Sequence, residues 1–236
     1  MDKEPTGFAM RPKDLDLVRN IPLLAGIGGD TFASLTSGAS LEWCSREAVL
    51  VTEGEVPDFL HVLVTGAAAL SSRADSGQET VLDILCRGAC FAPAAVLADA
   101  PSLTSARLLD PSQILLLSAP VVRAQVARDP VFAHRVMQAL TGQFRTLVRE
   151  VKDLKLRNTT QRLSAFILDQ VDRPEDGVAV ELPVSRRVLA SRLGMTPEQL
   201  SRTFAKLSDR DLHISGSTII VRSIERLRRL CSGGTP

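Results

Sequence analysis

From residue 39 to residue 118 the chain alternates short apolar runs with turn-forming residues. Runs at 41–44, 49–51, 60–70, 80–85, 106–109 and 114–117 predict strands. Glu53-Gly54-Glu55, Asp75-Ser76-Gly77, Arg87-Gly88 and Asp110-Pro111 predict the turns between them. Many short strands at this spacing, with no helical period among them, point to an antiparallel barrel or jelly roll and away from βαβ units. A helix-rich lead-in over 16–35 precedes the strands.

Beyond residue 129 the period changes. Met137, Leu140, Phe144, Leu147, Val151 and Leu154 follow one another at steps of 3, 4, 3, 4 and 3 residues, which predicts one long helix over 130–156. A narrow stripe of a/d spacing suits the seam of a homodimer; the other reading is a helix laid against its own barrel. Asn158 with Gln161 forms a capping box, so the long helix is expected to end near Arg157 and a new one to run over 159–171. Asn158 is then the expected hinge.

The most telling pattern spans 182–212. Ser185 is a good N-cap for a helix starting at Arg186, and Val188, Leu189, Ala190 and Leu193 give that helix an apolar face. Gly194 supplies a tight turn. Thr196 caps a second helix, with Pro197 at its first position and Gln199 completing a capping box. Leu200, Phe204 and Leu207 would pack on the first helix. The other face carries Glu198, Gln199, Ser201, Arg202 and Lys206. Arginine can pair with a guanine edge, glutamate can accept from cytosine, and serine or lysine can bind phosphate. A helix-turn-helix that lays its second helix in the major groove of double-stranded DNA fits this layout; an ordinary helical hairpin with a solvated face is the plainer alternative. The stretch 213–223 alternates around Ser215-Gly216-Ser217 and predicts a β-hairpin wing, and a basic helix follows over 224–230.

Charge supports the DNA reading. From Leu182 onward there are nine arginines and one lysine against four acidic residues, a net +6, although the whole chain carries only +1. Phosphate neutralisation is local, so this asymmetry matters more than the total. The fold class is therefore α+β: an effector-sensing β-barrel over 16–128, a dimerisation helix over 129–157, and a winged helix-turn-helix over 158–236. The first dozen residues and the SGGTP tail are expected to be disordered. With no apolar run of membrane length, no secretion signal and four scattered cysteines, a cytoplasmic protein with no membrane partner and reduced thiols is expected. No P-loop, GxSxG, HExxH or dinucleotide fingerprint occurs, and three histidines with no tyrosine supply little acid–base chemistry; an enzyme is not expected.

This order of parts resembles the CRP/FNR transcription regulators, with the likeness running from about Ile21 to Leu230. VTEGEVPDFLHVLVTGAAAL is similar to the family's glycine-punctuated strand pair, with Gly54 and Gly66 in the expected places. Glu198-x-x-Ser201-Arg202 is similar to the signature of the FNR branch, which reads TTGA-type half-sites. The resemblance implies a cyclic-nucleotide-binding-like jelly roll, and Glu198 and Arg202 as base readers. It implies Ser201 as a base or phosphate contact. Thr196, Gln199, Lys206, Arg186 and Arg187, read from the helix-turn-helix pattern itself, complete the expected DNA-binding set. If the protein is an activator, RNA polymerase is an expected partner.

The chain departs from the cyclic-nucleotide binders. Ala92-Pro93-Ala94 stands where they carry Gly-Glu-Leu, and Leu103-Thr104 where they carry Arg-Ser. A cyclic phosphate buried without its arginine would be costly, so cAMP is not expected. No cysteine precedes Cys44, so no N-terminal [4Fe–4S] cluster is expected either. LKLRNTTQRL, VELPVSRRVLASRL and the apolar segment around Phe91 look most like the nitric-oxide-responsive DNR/NNR branch. That likeness implies control of denitrification or nitrosative-stress genes through haem b. Phe91, Pro93, Leu97, His61 and His134 are then the effector-pocket candidates, although each histidine also reads as a structural or surface residue. His213, and Cys86 with Cys90, are weaker ligand candidates. A signalling module answering to another ligand or to redox state is the alternative function.

Overall fold

The computed structural model describes residues 10–77, 79–171, 173–182, 184–208 and 211–232. The expectation of disordered ends falls on 1–9 and 233–236, outside the described residues. The chain forms two compact units, Met1–Arg145 and Thr146–Pro236.

In the first unit, helices α1 (Pro12–Arg19) and α2 (Gly29–Thr36) lead into seven strands: β1 (Ser40–Cys44), β2 (Val49–Val51), β3 (Phe59–Thr65), β4 (Ala67–Arg73), β5 (Glu79–Cys86), β6 (Ser105–Leu108) and β7 (Ser112–Ser118). They pair antiparallel in two sheets, ordered β1-β7-β3 and β2-β6-β4-β5. This is the jelly-roll form of the expected barrel. The run 60–70 is two strands rather than one. Gly66 turns the chain at φ 94°, and a Cβ there would lie 2.1 Å from the Ser112 hydroxyl oxygen, so only glycine lets β3 and β4 separate at this point.

Alternation along β3 divides the core in two. Leu60, Val62 and Val64 face α1, α2 and three further helices together with Leu115 and Leu117 of β7. Leu63 faces the opposite sheet, where it meets Val51, Ala68, Leu85, Phe91, Ala106, Leu108 and Ile114. The segment after β5 contains a short helix, α3 (Pro93–Ala98), and β7 runs into α4 (Ala119–Arg128). Neither was expected: α3 is too short to show a period, and the Pro120-Val-Val start of α4 reads equally well as strand.

The long helix α5 spans Pro130–Leu156, across the boundary between the units. Its start is capped by Asp129, whose carboxylate accepts from Val131 N at 2.8 Å, Phe132 N at 3.2 Å and the Thr31 hydroxyl at 2.5 Å. These bonds hold the Asp129 carboxyl below its usual pKa. In the second unit α6 (Thr159–Asp169), β8 (Val178–Glu181), α7 (Arg186–Arg192), α8 (Pro197–Ser208), β9 (Leu212–Ser215), β10 (Thr218–Val221) and α9 (Ile224–Cys231) enclose their own core. β8 was not expected; it adds an edge to the predicted hairpin, giving the sheet order β8-β10-β9. Helix α6 is two residues shorter than expected, because Gln170 and Val171 turn back on the carbonyls of Ile167 and Leu168.

Candidate nucleic-acid interface and effector site

The caps that define the helix-turn-helix form as their residue types require. The Ser185 hydroxyl accepts from Val188 N at 3.4 Å, and Thr196 and Gln199 complete a reciprocal box at 3.0 and 3.2 Å. Gly194 takes φ 61° between α7 and α8, a conformation that suits glycine. Along α8 the two faces separate cleanly. Leu200, Thr203, Phe204 and Leu207 are buried, while Glu198, Gln199, Ser201, Arg202 and Lys206 are exposed, as is Thr196 before them. The eight residues of the expected DNA-binding set are thus all at the surface, with Arg186 and Arg187 at the start of α7.

Electrostatics favour a charged Glu198. Hydrogen bonding from Thr196 holds its carboxyl below the usual range, with the Arg202 charge adding to the effect. Arg186 is partly engaged: it donates to the Gly216 carbonyl at the wing tip at 3.4 Å and lies 5.5 Å from the Phe204 ring centroid. Three other basic residues of the segment are spent within the protein. Arg226 pairs with the buried Asp211 at 3.0 Å, Arg229 with Glu225 at 2.7 Å, and Arg192 with Glu150. Asp211 and Glu225 are already counted in the net +6, so only the pairing of Arg192 with Glu150, which lies outside the segment, lowers the charge free for phosphate further.

On α5, Met137, Phe144, Leu147, Val151 and Leu154 are between 45% and 65% exposed, and Val148, not singled out by the heptad, joins them at 42%. Leu140 departs from the row: it is partly buried against the core under α1, α2 and α4. Asn158 caps α6 as expected: its side-chain oxygen accepts from Gln161 N at 3.0 Å, and its own backbone N–H donates to Gln161 Oε1 at 2.8 Å.

The effector candidates do not come together as a set. Phe91 and Pro93 are buried, Leu97 is half-buried, and His134 lies exposed on α5, away from that interior. His61 is 8% exposed on the inter-sheet side of β3, edge-on to Phe59 and Phe91 at 6.4 Å each, and its Nδ1 has no hydrogen-bond partner. Burial lowers its pKa to about 4, outweighing the opposing effect of the Phe59 backbone, so the ring is neutral at pH 7. His213 is exposed beside the wing. Burial pushes the Cys90 thiol up to about 11, and burial with Asp83 nearby raises that of exposed Cys86, so neither is poised as a thiolate. Among the described residues no cluster of three metal-ligating side chains occurs.

Helix α3 is held from both ends. Ala92, where the cyclic-nucleotide binders carry glycine, adopts φ 44°, a left-handed conformation that costs a non-glycine residue about 1–2 kcal/mol. Arg123 on α4 donates to the Val96 carbonyl and pairs with Asp99, each at 3.0 Å. Leu103, where those binders carry arginine, is 86% exposed. Gln143 on α5 donates to the Cys90 carbonyl at 2.8 Å and so ties α5 to the backbone beside Phe91. Sequence reasoning missed Arg123 and Gln143; no local motif marks them, because each acts across a long separation.

Comparison with known proteins places these parts. Residues 41–129 match the family model of the cyclic nucleotide-binding domain, and residues 161–230 that of the Crp-like helix-turn-helix domain. The CRP-like cAMP-activated global transcriptional regulator of Mycobacterium tuberculosis is 20% identical over 219 residues, 91% of this chain and 98% of that one. Among solved structures, FixK2 of Bradyrhizobium japonicum superposes with TM-score 0.72 at 21% identity, over 81% of this chain and 96% of that one. DNR of Pseudomonas aeruginosa superposes with TM-score 0.50 at 23% identity, over 94% and 100%. The chain belongs to the CRP/FNR family and is a DNA-binding transcription regulator, not an enzyme. No helix among the described residues is long and apolar enough to cross a membrane.

Proposed function

We propose that the protein binds a TTGA-type palindrome as a homodimer and is regulated by a small effector other than a cyclic nucleotide. Two uncovered surfaces of opposite chemistry carry this reading: the polar row Glu198, Ser201, Arg202 of α8, and the apolar row Met137, Phe144, Leu147, Val151 of α5. The first suits base edges and the second suits its own copy. Two recognition helices related by a two-fold axis meet successive major grooves about 34–36 Å apart. Arg202 and Glu198 read bases, Ser201 supports them, and Lys206 with Arg187 holds phosphate.

The effector reading rests on what surrounds α3. Arg123 is already engaged by Val96 and Asp99, and Leu103 offers no charge, so a cyclic phosphate would lack its cation. Haem b fits in one respect only. The neutral imidazole of His61 with its open Nδ1 is a suitable donor, but Leu63, Phe91, Leu108 and Ile114 fill the inter-sheet space at 0% exposure and leave no room for a macrocycle. Haem therefore does not fit this arrangement. A small, largely apolar effector with one polar group for His61 agrees better with the lining. Through Gln143 a shift of the Cys90–Phe91 backbone would be felt on α5.

A gel-shift titration on a TTGA palindrome and on a scrambled duplex tests the DNA reading; equal affinity for both would remove it. Absorption spectra after haem addition, with and without nitric oxide, test the effector reading. Saturable haem uptake with a band that moves on nitric oxide would replace it with the DNR-like alternative.

A further inference from the structure

The last turns of α5 and the turn of the helix-turn-helix form one cluster inside the second unit. Arg192 of α7 is ion-paired with Glu150 of α5, their side chains only 18% and 15% exposed. The Gly194 turn rests on α5 and α6: a Cβ there would lie 2.7 Å from Leu154 Cδ2 of α5 and 3.1 Å from Arg162 Nη1 of α6. One turn along, Arg157 and Asp153 pair at 2.9 Å. The Glu150–Arg192 pair and the contact of Leu154 with the Gly194 turn bridge the helix break at Asn158, so the break is not a free joint.

A buried ion pair adds little net stability over an apolar contact of equal size, but it accepts few orientations, and its best-attested use is to fix register. Apolar residues at 150 and 192 would hold the helices together as well and would let them slide. The pair also takes Arg192 away from DNA.

We infer that Glu150 and Arg192 are positioning residues for DNA recognition: they lock α7, and α8 with it, to the final turns of α5. The inference rests on the homodimer proposed above. Two α8 helices locked to two paired α5 helices have one separation, and so one preferred half-site spacing. Without the lock each protomer still reads its half-site, but the spacing is no longer fixed.

The test is a gel-shift series on palindromes whose half-sites are moved one and two base pairs either side of the best spacing, with a single half-site as control. The native protein is expected to lose about tenfold in affinity one base pair away from its optimum, a coupling of ordinary size. Glu150→Gln is expected to flatten the series to within about threefold while binding the single half-site like the native protein. The exchanged pair Glu150→Arg with Arg192→Glu is expected to restore the optimum. A folded Glu150→Gln protein that keeps the native spacing dependence overturns the inference. Should thermal melting show Glu150→Gln unfolded, the exchanged pair decides: folded with the native optimum it supports the lock, folded but flat it overturns it. A native protein that binds palindrome and single half-site equally well overturns the dimer, and the lock with it; that outcome is distinct, since the native series alone reveals it.

Discussion

The two units carry their candidate chemistry in opposite places. In the second, all eight DNA-binding candidates lie at the surface, five of them on α8, whose other face is core. In the first, His61, Phe91 and Pro93 are enclosed between sheets and helices, and the one imidazole among them lacks a partner for Nδ1. A duplex is a large, rigid partner, so the groups that read it must stand out beforehand. A small molecule could reach groups enclosed in this way only if the packing opened. Helix α5 adds a third case, an exposed face that is apolar and thus neither a DNA surface nor a core.

The largest effect is expected where that third face is charged. Leu147→Asp should cost about 3–5 kcal/mol of dimer stability, because an unpaired charge would be buried in the seam. Sedimentation should find monomers; a surviving dimer would leave the apolar row without a partner. The enclosed site is tested by pH. His61 has a folded pKa of about 4 against 6.5 when free, so the unfolded chain binds the proton first. Stability should fall as pH drops from about 6.5 toward 4, by up to about 3 kcal/mol, and be fully present above that window. His61→Leu should flatten this dependence in thermal melts; an unchanged slope would mean that the ring is not enclosed in solution.

Smaller effects test the displayed site. Arg202→Ala should cost about 1–3 kcal/mol and relax preference at one base pair. A uniform loss over all sequences would make Arg202 a phosphate contact instead. Lys206→Ala should weaken all duplexes alike and lower the slope of log affinity against log salt by about 1. An unchanged slope would remove Lys206 from the interface.

The recognition helix was legible because its signals are local. Caps sit three residues apart, and the buried row Leu200, Phe204, Leu207 follows one helical period, so residue types alone place Glu198 and Arg202 outward. The barrel strands were legible for the same reason, apart from the division at Gly66, which depends on Ser112 some distance along the chain. The effector site was much less so. Its candidates Phe91, Pro93 and Leu97 share an apolar stretch of sequence, yet His134 faces solvent; on the dimer row, likewise, Leu140 leans into the first unit's core. A period of 3.5 states which residues share a face, not what covers that face.

By itself the sequence determined the order of parts, the helix caps, the outward row of α8 and the spacing of the apolar row on α5. All of these follow from interactions within a few residues, where side-chain type and period leave few alternatives. Only the tertiary structure decided which charges are free. It gave Arg192 to Glu150, Arg226 to Asp211 and Arg123 to Val96 and Asp99, and it left His61 enclosed without a partner for Nδ1. An ion pair or an orphaned nitrogen is set by which segments distant in the chain pack together, and a local pattern of residue types does not encode that choice.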